Sequence, residues 1–268
     1  MAKIAQEQKN RYFEKVKEYK TTIDAALSKE KTLTDLLVHE EGGAAFKRLR
    51  LAEEVLDLSS WYLLINSLSL SLLGIKDEDY LIDGRKILVR AMKYLEDVVT
   101  ASLDAPFSEY EKFLDEIKDV DAVNRYRLVR KFGFAIQSYE EAFGDNSKYS
   151  LGFNELWGKF AALAKNLIDM RNVVSDLDFN SANREIMKAH LALVKELFRR
   201  CADNYRNEYE VHTHKLADFK IAISFLTTLR RVHVLVGERD DADTMKRKID
   251  VWNSKLETDY KKREGQKG

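Results

Sequence analysis

The sequence predicts an all-α protein: seven or eight mostly long, antiparallel helices packed as a helical bundle or as a solenoid of helix pairs. Three observations carry this expectation. Pro106 is the single proline among 268 residues, and proline costs about 3 kcal/mol inside a helix, so long helices exclude it. The chain is 45% apolar and 34% charged, a composition that supports a core, whereas disorder needs low hydrophobicity joined to high net charge. Apolar residues recur at three- and four-residue steps along most of the chain. One all-helical unit over residues 1–268 is expected, with a possible division near Pro106 into residues 1–104 and 107–268.

The first helix is predicted over residues 2–27 by Tyr12, Val16, Tyr19, Ile23 and Leu27. Thr32-Leu33-Thr34-Asp35 could cap a short extension that stops before Gly42-Gly43. A second helix over residues 44–73 carries two seven-residue leucine stripes: Leu49, Leu56, Leu63 and Leu70, then Leu51, Leu58, Ile65 and Leu72. Two stripes require burial on more than one side, as for a central helix. Gly74 ends it. Residues 58–75 carry no charge and reach the length of a membrane span. Six Ser and Asn residues from Ser59 to Ser71 and the heptad rhythm point instead to a core helix, so no membrane span is expected.

A third helix over residues 79–103 places Gly84 and Ala91 between Leu81, Leu88 and Leu95, leaving room for a close neighbour. After Pro106, Ser108-Glu109-Tyr110-Glu111 has the form of a capping box opening a segment to Lys118. A helix over residues 121–143 follows on Ala122, Tyr126, Val129, Phe132, Ile136, Tyr139 and Phe143, closed by Gly144-Asp145-Asn146-Ser147. Phe153, Leu156, Phe160, Leu163, Leu167, Met170 and Val174 predict one helix packed lengthwise, in the manner of a coiled coil. Residues 181–210 and 216–236 form one very long helix or two joined near His212, and Gly237 stops them. A last helix over residues 242–261 carries Met245, Ile249, Trp252, Leu256 and Tyr260, followed by a solvated tail. Residues 87–99 and 132–143 loosely resemble tetratricopeptide units, which keeps a TPR-like solenoid as the alternative. The Trp-Leu-Gly-Tyr spacing and closing proline of that repeat are missing.

Charge and cysteine usage narrow the function classes. Lys plus Arg and Asp plus Glu number 45 each, so the basic excess expected of a nucleic-acid binder is missing. Cys201 is the lone cysteine, which excludes an internal disulfide and favours a reducing compartment. Residues 1–20 contain no continuous apolar region, so the cytoplasm is the expected location.

No motif names a reaction. Glu208 with His212, and Glu210 with His214, have the spacing of helical metal ligands, but the pairs lie about 200° apart around a helix and cannot share an ion without a kink. Solvated histidines are the expectation, with no catalytic, cofactor or metal site. Cys201 lies on an apolar stripe and reads as a small core hydrophobe. His190 and His233 could bury hydrogen-bonded imidazoles, and His39 sits at a helix end. Arg125, Arg127, Arg130 and Lys131 fall within two turns, with Arg199-Arg200 and Arg230-Arg231 as further pairs. They could build a pocket for a phosphate or acidic peptide, or a solvated face. Trp252 could dock on the body or on a second subunit.

The expected function is therefore a cytoplasmic interaction protein, an adaptor or scaffold and not an enzyme. It would bind a protein partner, or a second copy of itself, with Arg127, Arg130, Lys131 and Trp252 as the interaction surface. The alternative is a helical enzyme or small-ligand bundle with a buried polar pocket built from Asn66, Ser59, His190 and Tyr126. A membrane-surface protein using its basic ends, residues 3–20 and 246–267, is a third class.

Overall fold

The structure is a computed structural model that describes residues 5–37, 43–144 and 149–265. Ten α-helices are present among these residues, with no strand. Eight are long: α1 (Gln6–Leu37), α2 (Ala44–Leu73), α3 (Glu78–Val99), α5 (Ala122–Phe143), α6 (Ser150–Asn166), α8 (Arg184–Asn207), α9 (Leu216–Leu235) and α10 (Arg239–Gly265). Two are short, α4 (Glu111–Glu116) and α7 (Val173–Asp176). The all-α expectation holds, and the architecture is bundled. His39, Gly42, Asp145 to Ser147 and the end of the basic tail lie outside the described residues.

The chain divides into two compact units. The first holds residues 1–100, 110–120 and 127–153; the second holds 101–109, 121–126 and 154–268. α5 and α6 therefore each contribute to both.

In the first unit, contact order along the helices fixes their directions. Tyr19 lies against Trp61 and Lys29 pairs with Glu54 at 2.7 Å, so α1 runs antiparallel to α2. The Asp77 amide donates to Asn66 Oδ1 at 2.9 Å, and the Tyr62 and Tyr80 rings meet at 6.4 Å, so α3 runs antiparallel to α2. Lys131 reaches Glu53 at 2.7 Å and the Tyr139 hydroxyl donates to the Ser59 carbonyl at 2.6 Å, so α5 runs parallel to α2. This is an up-down-up-down four-helix bundle.

α2 is its central helix. Leu49, Leu51, Ala52, Val55, Leu56, Leu58 and Ile65 are all buried, each large side chain contributing about 1.5–3 kcal/mol relative to exposure. By length and composition α2 could also cross a membrane, and 44% of its most apolar window is buried inside the bundle. Both leucine stripes lose burial towards the C-terminus, where Leu70 is 48% exposed. Gly74 terminates the helix in the left-handed region, at φ 65°, its amide bonded to the Leu70 carbonyl.

The second unit repeats the arrangement with α6, α8, α9 and α10. Trp157 lies under Arg200 and the His190 ring donates to the Ala164 carbonyl at 2.9 Å, making α6 antiparallel to α8. Phe198 meets Phe225, and Tyr209 stacks on Phe219 at 4.9 Å, making α9 antiparallel to α8. Lys248 pairs with Asp203 at 3.0 Å and the Tyr209 hydroxyl donates to Asp259 at 2.7 Å, so α10 runs parallel to α8.

Several local expectations are corrected. α1 is unbroken to Leu37 because Thr32 and Thr34 donate back to the Ser28 and Glu30 carbonyls, keeping their hydroxyls inside the helix and making no cap. The Ser108–Glu111 capping box does not form: a 3-10 turn covers Phe107–Glu109, and the residue before α4 is Tyr110, which has no side-chain cap. The helix predicted through Val174 ends at Asn166, since Asp169 accepts from the Arg171 amide and guanidinium and from Asn172, offering the backbone a turn instead. Of the two readings for residues 181–236, the second holds: α8 and α9 are two helices, joined by a π-helical segment (Glu208–Thr213) and by His214 at φ 53°.

Candidate functional site

α5 presents the clearest outward chemistry. Val129, Phe132, Ile136 and Tyr139 are each 0% exposed on its inner face, which locks the helix in rotation. The opposite face therefore carries Arg127, Arg130, Phe134, Gln137 and Glu141, all exposed, at steps of three and four residues. Phe134 is 73% exposed, and Gln137 is braced by a 2.7 Å bond to Glu141. Lys131 turns to the side, where Glu53 holds it at 2.7 Å and Asp57 at 3.8 Å. Thus Arg127 and Arg130 lie on the same exposed face as the aromatic ring, on its N-terminal side, while Lys131 serves as a brace between α5 and α2. Sequence reasoning found the arginines and missed Phe134, whose signal was an aromatic off the apolar stripe.

Trp252 lies elsewhere, in the second unit. It is 4% exposed, packed at a tilt on Phe219 and covered by Arg206 and Lys248 at 5.2 and 4.8 Å. It docks α10 on its own unit.

The polar groups named for a buried pocket do not converge within one unit. In the first, Ser59 donates to the Leu56 carbonyl at 2.6 Å and Asn66 accepts from Asp77. In the second, His190 is 4% exposed with the Tyr126 ring 5.5 Å away. Burial, chiefly, and the nearby Arg125 charge push the His190 pKa down to about 4, against the opposing pull of the Ala164 carbonyl. Each has the partner that a buried polar group requires.

Cys201 is buried at 1% exposure, and this pushes its thiol up to about 12 despite the opposing Arg200 charge. Nucleophilic chemistry needs the thiolate. The native protein is expected to resist iodoacetamide at pH 8, with alkylation appearing only on unfolding; rapid native labelling, read by mass spectrometry, would show the thiol to be accessible.

Glu208, His212, Glu210 and His214 do not form a shared site. Glu208 is buried, Glu210 pairs with Arg206 at 3.1 Å, and the His214 ring bonds the Tyr209 carbonyl at 3.1 Å. A different histidine has acquired a carboxylate partner. Gly237, at φ 79°, closes α9 in a Schellman turn. The Glu238 amide donates to the His233 carbonyl and the Gly237 amide to the Val234 carbonyl, at 2.9 and 3.2 Å. That turn brings residues five apart together, a place where a hydrophobic contact is usual. Here the Glu238 carboxylate accepts from His233 Nδ1 at 2.5 Å, and Lys195 of α8 donates to both of its oxygens at 2.6 Å. Burial alone would raise the Glu238 pKa, but hydrogen bonds from Lys195 and His233, with their charges, outweigh it and hold the carboxyl below its usual range. The spacing of five escaped helical reasoning; Gly237 followed directly by an acid was the available signal.

The family described as the TP0443 family matches residues 8–260, which takes in all or most of every long helix, and the chain belongs to that family. No curated protein matches the chain, and no solved structure matches it.

Proposed function

We propose that this member of the TP0443 family is a helical interaction protein, a cytoplasmic adaptor or scaffold, which binds another protein through the outer face of α5. The observation carrying this reading is Phe134, 73% exposed in the middle of a helix whose inner face is fully packed. An exposed aromatic gains nothing in the free protein and becomes favourable once covered. Aromatic and arginine side chains are the usual anchors of protein interfaces, because they bury large area at low conformational cost. With Arg127 and Arg130 two turns and one turn before the ring, the chemistry favours an amphipathic helix bearing acidic residues beside an apolar anchor.

The substitutions Phe134→Glu and Arg130→Glu lie on the solvent side and are expected to change stability by no more than about 0.5 kcal/mol. A partner recovered from native extract by the wild-type chain should be lost by both variants while circular dichroism stays unchanged. Recovery of the same proteins by all three chains would overturn the assignment. If the wild type alone elutes as a dimer, the occupant is a second copy.

A further inference from the structure

We propose that His233, Glu238 and Asp241 form a binding site for one divalent transition-metal ion of the zinc type, with Lys195 opposing occupancy. This goes beyond the α5 reading and is independent of it, since all four residues belong to the second unit.

The donor atoms of His233, Glu238 and Asp241 lie within 4.8 Å of one another. Two ligands each about 2.1 Å from a tetrahedral ion stand about 3.4 Å apart, so the widest separation in the set must contract by up to roughly an ångström. Asp241 is exposed and free to make most of that movement. The Schellman turn already sets Glu238 against His233, but at 2.5 Å, so the Glu238 carboxylate must open by about an ångström to admit the ion. His233 is 1% exposed, so its ring has little freedom to leave. Asp241 follows Glu238 by three residues in the first turns of α10, which aligns the two carboxylates. Its exposure also leaves the ion a path from solvent.

A second observation concerns the imidazole. His233 Nε2 is buried and has no hydrogen-bond partner, so the ring is held from one side alone, through Nδ1. A buried histidine usually has both nitrogens engaged. An ion at Nδ1 would displace the proton now shared with Glu238, and on a neutral ring that proton passes to Nε2, which has no partner to oppose the change of tautomer.

The donor set selects the metal class. One imidazole and two carboxylates suit zinc and its first-row neighbours, whereas calcium and magnesium require oxygen ligands throughout. Two carboxylate charges against one ammonium leave the site at about −1 before binding. Lys195 then has two effects. Its hydrogen bonds orient Glu238, as an outer-shell partner of a ligating carboxylate does, and its charge repels the ion.

The test is titration of zinc chloride into the full chain by calorimetry. One saturable site is expected, with no competition from magnesium. Asp241→Asn, an exposed change that leaves the fold intact, should weaken binding by about tenfold or more. His233→Ala should abolish it, and Lys195→Met should tighten it, an outcome that a purely structural ion pair would not produce. The proposal is overturned by the absence of saturable uptake, by Asp241→Asn binding as the wild type does, or by a Lys195→Met variant that binds no tighter.

Discussion

Replacing Gly84 with alanine is expected to destabilise the first unit by about 3 kcal/mol. A Cβ at that position would fall on the Tyr139 hydroxyl, 2.6 Å from Tyr62 Cβ and 2.8 Å from Tyr139 Cζ. Neither neighbour can yield easily. Tyr139 is 0% exposed, and its hydroxyl is committed to the Ser59 carbonyl at 2.6 Å. Moving the ring costs about 1–3 kcal/mol in overpacking, and leaving the carbonyl unpaired costs about as much again. Alanine recovers only about 1 kcal/mol through its better helix propensity. Urea unfolding measures the difference, and Tyr139→Phe in the same background tests the cause. Removing the hydroxyl should restore part of the loss in Gly84→Ala, while it costs about 1 kcal/mol in the wild type. A Gly84→Ala variant within about 0.5 kcal/mol of wild type would show that the α3–α5 contact is loose.

The second large effect is a loss of stability between pH about 6.5 and about 4, arising at His190. In the unfolded chain its imidazole titrates near 6.5; in the folded protein burial lowers the value to about 4. Above pH 6.5 neither state carries the proton, and His190 makes no pH-dependent contribution. As pH falls through 6.5 the unfolded chain takes up a proton that the folded protein refuses, so unfolding is favoured progressively until the folded value is reached. The total is on the order of 3 kcal/mol. The Arg125 charge works in the same direction, and the Ala164 carbonyl opposes it. Asp169 and Glu238 are both held low, so their stabilisation is lost in a more acidic window that begins as pH falls below about 4.5 and overlaps only the end of the His190 one. His190→Gln can keep a donor for Ala164 without titrating, and should flatten the profile from pH 6.5 to 4 while leaving the more acidic limb. An unchanged profile would move the responsible group elsewhere.

These two effects differ in how far the sequence disclosed them. Gly84 between Leu81 and Leu88 already signalled a close neighbour, because a missing side chain on an apolar stripe has few other uses. The identity of that neighbour, Tyr139, lies 55 positions away, and no local pattern could supply it. The α5 face was half legible: the arginine cluster could be read in sequence, but which of its members remained outward depended on Glu53 and Asp57, which hold Lys131. Trp252 shows the reverse, an apparent surface anchor that Phe219, Arg206 and Lys248 cover.

Helical periodicity by itself determined the all-α class, the central role of α2 and the stops at Gly74 and Gly237. It could do so because burial on a helix is a local geometric rule, repeated every three or four residues. Packing alone decided the rest: the grouping of residues 127–153 with the first unit, the end of α6 at Asn166 and the meeting of Lys195, His233 and Glu238. Those outcomes depend on which charged and polar groups find partners across helices, and the energies involved are set by burial and distance in three dimensions.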